Sequence, residues 1–405
     1  MDAPGTFDFA NPAFRADPYP AYRFLREAAP LFRLPTGQWI VSTHAACTSV
    51  LRDNRFGHKN YSKVIPDFEN EPAIAALSRM MLLRDPPEHT RLRGLVSKAF
   101  TARRMEALRP RIEEIVDELI DAVISNGGMD VIRDFAHKLP VTVICDMLGI
   151  PEQDRAPFLA ESNVRGRILD PVPMSREELD QANEGQLKSQ AYFTTLFAYR
   201  RANPGDDLTT ALLLARENDD ALTDLEALAN IGLLFGAGHE TTTNLIASGF
   251  LTLLRQPAAF EQLRTHPEIV ASAVEELLRF EAPVQHTARI APADMQLAGK
   301  TIQKGSRVVA GLAAANRDPQ RFPDPDRLDL LRPDNRHLAF GWAAHFCFGA
   351  PLARMEGQIA FNTIMRRLAH PVLLDAKLEW RENAGLRGLT SLRIGFDPAS
   401  PEACA

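Results

Sequence analysis

The sequence is poor in cysteine. It has four in 405 residues, Cys47, Cys145, Cys347 and Cys404. That is far too few for the disulfide framework of a small secreted domain. No two of them stand at CxxC spacing, which argues against a structural zinc site. There is also no excess of one charge. Its 46 Lys and Arg against 52 Asp and Glu leave a net −6, so the bulk charge does not ask for nucleic acid. No apolar run approaches the roughly 18 residues that a membrane span needs: Ile231–Phe235 and Val308–Ala315 are short or interrupted. The first residues, MDAPGTFDFANP, lack a basic stretch followed by an apolar one, so no signal peptide is read. Internal repeats and low-complexity segments are missing as well. The expectation is a soluble, cytoplasmic protein in a reducing compartment, without a membrane or nucleic-acid partner.

What is present is ordinary globular composition, 45% apolar and 24% charged, in a chain long enough to bury a large core. Apolar residues at helical spacing predict helices over Pro18–Ala29, Pro86–Ala99, Met105–Ile124, Glu177–Arg201, Leu222–Leu254, Pro267–Phe280 and Pro351–Leu368. Short strands are predicted at Leu31–Leu34 and Trp39–Ser42 around a Pro35-Thr36-Gly37 turn. Others are predicted near Val284–Ile290, Met295–Ala298, Arg307–Ala310 and Leu389–Ile394. Alternating β–α units are missing, which disfavours a doubly wound sheet. The stretch RDPQRFPDPDRLDLLRP, Arg317–Pro333, cannot be helix or inner strand throughout, because each Pro removes a backbone donor. It reads as an ordered meander anchored by Phe322 and Leu328. The fold class expected is mostly α with a small β-rich region, as a single domain over residues 1–405.

Three constellations carry chemistry. The first runs from Phe340 to Gly349, FGWAAHFCFG, ahead of a helical pattern. Cys347 sits among aromatic residues just before a helix N-terminus, which lowers a thiol pKa; a shielded thiolate there suits an iron centre. A lone cysteine would more simply be a buried core residue. The second is Gly236-Ala237-Gly238-His239-Glu240-Thr241-Thr242-Thr243, inside a long helix opened by a Thr223–Glu226 capping box. Two mid-helix glycines cost about 1 kcal/mol each relative to Ala, and three Thr compete with the helical ladder. Such a conflict marks either a functional groove or close packing at Gly beside solvated Thr. The third is Glu276-Leu277-Leu278-Arg279, whose ends share a helix face and can pair. Alone it carries almost nothing; its value lies in standing between the Gly-Thr helix and the meander that leads to Cys347.

In this order and company the chain resembles the cytochrome P450 family of haem-thiolate monooxygenases, over nearly its whole length. The resemblance implies a P450 fold with haem b, iron protoporphyrin IX, between the Leu222–Leu254 helix and the Cys loop. It implies Cys347 as axial thiolate and metal ligand. His89 and Arg93, one helical turn apart, would hold haem propionates, with Arg289 and His345 as further donors. Taken without the family, His89 reads as a helix-surface histidine and Arg289 as a surface cation. Glu276, Arg279 and Arg332 would form a buried network behind the Cys loop. Glu240 and Thr241 match the acid–alcohol pair that delivers protons to bound O2. One departure stands out: Ala343 occupies a position where the family pattern has Gly, and a positive φ there would strain it.

The implied activity is an oxidoreductase of EC 1.14 type, hydroxylating or epoxidising a mid-sized apolar molecule such as a macrolide, terpenoid, steroid or fatty acyl compound. Pocket candidates are Leu83, Leu233, Ala237, Val284 and Leu389, with Phe68, Ile74, Leu77 and Leu169; each could equally be plain core. Since the haem domain uses up the chain, electrons from NAD(P)H are expected through a separate ferredoxin and ferredoxin reductase, to a monomer. Arg91, Arg93, Lys98, Arg103, Arg104, Arg109 and Arg111, with Arg354, form a basic set that either docks an acidic ferredoxin or is a solvated helix face. Two other readings stay open, a peroxide-driven peroxygenase and a non-catalytic protein binding haem or an apolar ligand.

Overall fold

The structure, a computed structural model, describes residues 8–34, 36–58, 71–159, 163–170, 172, 174–217 and 220–398. Cys404, Pro35 and the pocket candidate Phe68 lie outside these. Among the described residues the architecture is helix-dominated, with nine short strands in three small sheets. The chain divides into two compact units. One comprises Met1–Phe56, Pro110–Pro140 and Glu240–Ala405; the other comprises Gly57–Arg109 and Val141–His239.

The first unit holds the sheets. Strands β1 (Leu31–Arg33), β2 (Trp39–Val41), β4 (His286–Ile290) and β7 (Arg307–Gly311) pair in the order β1-β2-β7-β4. β2 and β7 run parallel, Ile40 opposite Val309, and the other two pairings are antiparallel. Gly37, at φ 84°, makes the β1–β2 turn, with its N–H on Leu34 O. Strands β3 (Gly128–Asp130), β8 (Ala369–Leu373) and β9 (Arg393–Asp397) form a second sheet in the order β3-β9-β8, and β5 (Met295–Leu297) and β6 (Lys300–Ile302) a hairpin. The last strand thus lies a few residues later than the sequence pattern predicts. An apolar core under the main sheet joins Leu31, Val41, Cys47, Val308, Ala310 and Leu338.

In the second unit the Arg176–Ala202 helix opens with a full capping box, Ser175 to Glu178. It packs Leu179 and Ala182 on Ala73, Ile74 and Ile168. Helix Glu88–Ala99 buries His89, Leu92, Leu95 and Val96 on one face. The single helix predicted over Met105–Ile124 is two, Ala102–Glu106 and Arg109–Ile124. Pro110 has no N–H to give a preceding turn and is at home only near a helix start.

The longest element is the Asp224–Leu254 helix, 31 residues, with the division between units falling at His239/Glu240. Its predicted cap is present: Glu226 N donates to Thr223 Oγ1 at 3.3 Å and Thr223 N to Glu226 Oε2 at 2.9 Å. No helix among the described residues is long and apolar enough to cross a membrane.

Candidate functional site

Three described cysteines differ in kind. Cys47 is fully buried, its Sγ donating to Val41 O, and Cys145 is buried too. Burial raises both thiols, Cys145 to about 11. Cys347 is only half-buried. It follows a short turn, Ala343–His345, and its N–H bonds Phe340 O at 2.8 Å. The 18-residue helix Ala350–Arg367 begins three residues later. A Cβ on Gly349 would meet nothing within 4 Å, so open space adjoins the thiol's loop. Ala343 has φ 57° and Gly341 φ 70°. The alanine therefore takes the conformation that the sequence departure made questionable.

The loop is held from behind. Phe340 lies under the Arg354 guanidinium, 4.6 Å from ring centroid to Cζ. Arg354 grips Glu275 with Nε at 2.7 Å and Nη2 at 2.8 Å. His337 Nδ1 accepts from Ala339 N, so Nε2 carries the proton that reaches Glu275 at 3.2 Å. Burial pushes the Glu275 carboxyl up, but Arg354 and His337 outweigh it and hold it at about 2. Arg354, expected in a basic set that either docks a partner or is solvated, is thus bound into the fold.

Next to this clamp the structure brings Glu276, Arg279 and Arg332 together. Glu276 and Arg279 are both 0% exposed and pair through two bonds of 2.8 Å. Arg332 Nε reaches the same carboxylate at 3.1 and 3.2 Å, Asn335 Nδ2 at 3.1 Å and the Asp329 N–H at 2.9 Å. The remaining guanidinium nitrogens bond meander carbonyls, Arg279 to Pro325 and Arg327, Arg332 to Pro323 and Arg327. The meander has no regular ladder of its own, and this network supplies its partners.

On the central helix, Glu240 is buried, 4% exposed. Its Oε1 stands 3.7 Å from Arg381 Nη1. Burial pushes its carboxyl up to about 7, with Arg381 pulling the other way. Thr241 is half-buried, while Thr242 and Thr243 are 2% and 1% exposed, so the triplet is not a solvated face. Glu356, which sequence reasoning missed, hydrogen-bonds Thr242 from the Ala350–Arg367 helix and is driven up to about 8 by burial. Arg289, on β4, is 5% exposed, with Nη1 on Ala288 O and Thr287 Oγ1; His345 is half-buried. Val284 is half-buried and bridges to Leu386. Leu389, by contrast, has 0% exposure: it packs as core and offers a ligand no surface.

In the second unit, His89 is buried and Arg93 half-buried, one turn apart on the Glu88–Ala99 helix. Ala237 is exposed and Leu233 half-buried, and a Cβ on Gly236 would meet nothing within 4 Å. This strip of the helix is open rather than packed, which favours a groove over close packing at Gly. Leu83, ending a short turn, is half-buried. The basic set is largely neutralised. Arg91 pairs with Asp220 and Glu226, Lys98 with Glu217, Arg104 with Asp206 and Arg109 with Glu106. In the first unit Arg111 pairs with Glu114 and Glu118.

The donor chemistry fits a haem: one accessible soft thiol before a helix N-terminus, open space beside glycine, and in the same unit a buried arginine, Arg289, and a half-buried histidine, His345, of the donor types that suit propionates. Comparison with known proteins agrees. A family model for cytochrome P450 matches residues 174–383. The chain is 39% identical over 401 residues to vitamin D(3) 25-hydroxylase of Pseudonocardia autotrophica, covering 97% of each chain. Among solved structures, P450BioI in complex with an acyl carrier protein ligated to hexadec-9Z-enoic acid has a TM-score of 0.89 and 37% identity, covering 95% of this chain and 99% of that one. The myxobacterial cytochrome P450 CYP267B1 in complex with myristic acid has a TM-score of 0.87 and 42% identity, covering 96% and 98%.

Proposed function

The chain belongs to the cytochrome P450 family of monooxygenases, oxidoreductases of EC 1.14 type that carry haem on a cysteine thiolate, and from that premise we propose that Cys347 holds the haem b and that the enzyme oxidises a mid-sized apolar substrate. The observation that carries this reading is the half-buried Cys347 in a loop clamped by Phe340, Arg354, Glu275 and His337. When bound, the haem supplies O2 activation, with thiolate donation favouring O–O cleavage as in this family generally.

The chain's own residues then divide the remaining work. In the first unit Arg289 and His345 would serve propionates as charge-assisted donors, and in the second unit His89 and Arg93 offer donors of the same kind. Glu276, Arg279 and Arg332 fix the meander and through it the Cys loop. Glu240 holds a proton near neutral pH, as its burial allows. The Thr241 hydroxyl, able both to donate and to accept, passes that proton on. For the substrate's side, Leu83, Leu233 and Ala237 of the second unit and, separately, Val284 of the first retain exposed or half-buried surface. The substrate class proposed is a steroid-like, polyketide or fatty acyl molecule. That choice is supported by relatives named for vitamin D3 and solved with fatty acyl ligands. Electrons come from NAD(P)H through a ferredoxin and its reductase. With most of the basic set paired off, Arg103, which pairs with no carboxylate among the described residues, is the cation left to meet an acidic partner.

The deciding experiment is the absorption spectrum of the reduced protein under carbon monoxide, for wild type and Cys347→Ser. A far-red-shifted Soret band in the wild type, lost in the variant, is expected. A band that survives the substitution would overturn the assignment.

A further inference from the structure

One face of the central helix carries a row of buried polar atoms without hydrogen-bond partners among the described residues. Glu240 Oε1, Asn244 Nδ2 and Ser248 Oγ are all of this kind. They stand at i, i+4 and i+8, so they lie one above another. Most buried polar side-chain atoms in folded proteins are paired, and leaving one dry is costly. Three in file on one face call for a shared explanation, and hydration is the ordinary one.

The segment facing this row is the reverse turn from Trp380 to Leu389, whose ends bridge antiparallel. Arg381 Nη1 is also buried and unpartnered, and it is the atom 3.7 Å from Glu240 Oε1. That separation is too long for a direct hydrogen bond but within ion-pair range, and a water bonded to both atoms would sit beside the line joining them. Gly388 presses on the next polar group along, for a Cβ there would come within 2.1 Å of Asn244 Oδ1. Arg381 and Gly388 also line a small open recess with room for about one water, walled further by Phe14, Tyr22, Gln285 and Asn383. The Arg381 side chain is 18% exposed and that of Glu240 5%. One guanidinium therefore stands between the recess and the buried acid. Its position is set independently of Glu240: Nε donates to Leu389 O at 3.1 Å and its backbone N–H to Gly388 O at 2.9 Å.

We propose that Arg381 is the positioning residue for the proton on Glu240, and that the recess it lines is the solvent inlet through which that proton is replaced. The proposal rests on reading Glu240 as the proton carrier. The step is a plain proton transfer. A water at the Arg381 end gives a proton to the Glu240 carboxylate and regains one from the water of the recess. One O–H bond breaks as another forms, and no electrons change hands. Among the described residues, Arg381 is the charged group that acts on Glu240. Glu356, on the neighbouring Ala350–Arg367 helix, engages Thr242 instead, two residues on and across the central helix. Burial favours the neutral acid and Arg381 the carboxylate, so the guanidinium sets how readily the proton leaves.

The test titrates Glu240 directly. The holoprotein, labelled with carboxyl-13C glutamate and held as the diamagnetic ferrous carbonyl form, is followed by NMR against pH, with Glu240→Gln to assign the resonance. In the wild type the midpoint is expected near 7. Arg381→Gln should raise it by about one pH unit or more, and Arg381→Lys should bring it back towards wild type. The Gln variant should also show a larger solvent deuterium isotope effect on product formation and divert more electrons from product, and Lys should restore both. An unmoved midpoint in Arg381→Gln, or a Lys variant indistinguishable from Gln, overturns the proposal. Should the Gln variant not fold, the wild type decides. A midpoint in the ordinary carboxylate range, about 4.3, would mean that Glu240 is not held protonated and would sink the idea. The carbonyl band of thiolate-bound haem is recorded in the same samples. The titration can thus fail while the Cys347 assignment stands, and that assignment can fail while the titration succeeds.

Discussion

Ala343 shows how one side chain departs from what its turn wants. At φ 57° its Cβ crowds the next carbonyl, a strain of about 1–2 kcal/mol. The residue is exposed, so replacing it with glycine opens no cavity. Against the relief stands the larger conformational freedom of glycine in the unfolded chain, about 0.4–1 kcal/mol. Ala343→Gly is therefore expected to stabilise the protein by about 0.5–1 kcal/mol, measured as a higher thermal midpoint. The turn's own bond, Phe346 N to Ala343 O at 3.0 Å, uses backbone atoms alone and should persist. A lower midpoint would show that the methyl group makes a contact worth more than the strain. The loop tolerates alanine because its shape is fixed elsewhere, by Phe340, Arg354 and the bond from Cys347 N to Phe340 O.

Among the elements, the helix Val270–Phe280 holds the molecule's most committed polar group. Glu276 accepts from Arg279, Arg332, Asn335 and the Asp329 backbone, with no exposure of its own. Removing its charge leaves two guanidinium groups facing each other in a buried site. Glu276→Gln is expected to destabilise by about 3–5 kcal/mol and to yield protein with little haem; normal haem content and an unchanged midpoint would show that the meander holds itself. The sequence alone could suggest this pairing only through motif order, because an i,i+3 Glu–Arg pair is as common on surfaces as in cores. The long helices were legible because their apolar period is strong and their ends carry caps such as Thr223–Glu226. The His44–Arg52 helix was not: its cap, Thr43 with Ala46 N at 3.3 Å, opens on small residues with weak periodicity. Arg381, Glu356 and Glu275 were missed for a different reason. Nothing local distinguishes a buried charge from an exposed one, and each acquires its role from a partner between 79 and 141 residues away in the chain. Leu389 differs in the opposite sense, as an apolar residue proposed for the pocket that has 0% exposure in its tertiary packing.

For the whole molecule, several buried or clamped groups contribute to how stability depends on pH, three of them beyond Glu240. Glu275 is held at about 2, below its unfolded value of about 4.3. Its contribution is full above that value and is lost as pH falls towards 2. Buried His286 is pushed down to about 3, first by burial and then by Arg307. Below about pH 6.5 the unfolded chain takes up a proton that the native one refuses, so stability again falls with acid. Glu356 works the other way. Held at about 8 by burial, it stays protonated in the native state while the unfolded chain has released its proton. Between about pH 4.3 and 8 the native state therefore binds more protons, and stability declines as pH rises. Gln at position 356 keeps the shape and can still meet the Thr242 hydroxyl, yet has no proton to lose. Glu356→Gln should thus match or exceed the wild type at pH 5, and its advantage should widen towards pH 8 by up to about 1.4 kcal/mol per pH unit. Thermal midpoints across this range read the effect. Parallel profiles for the two proteins would mean that Glu356 ionises in place, and the source of its stabilisation would then have to be sought around Thr242 rather than in the bulk of the core.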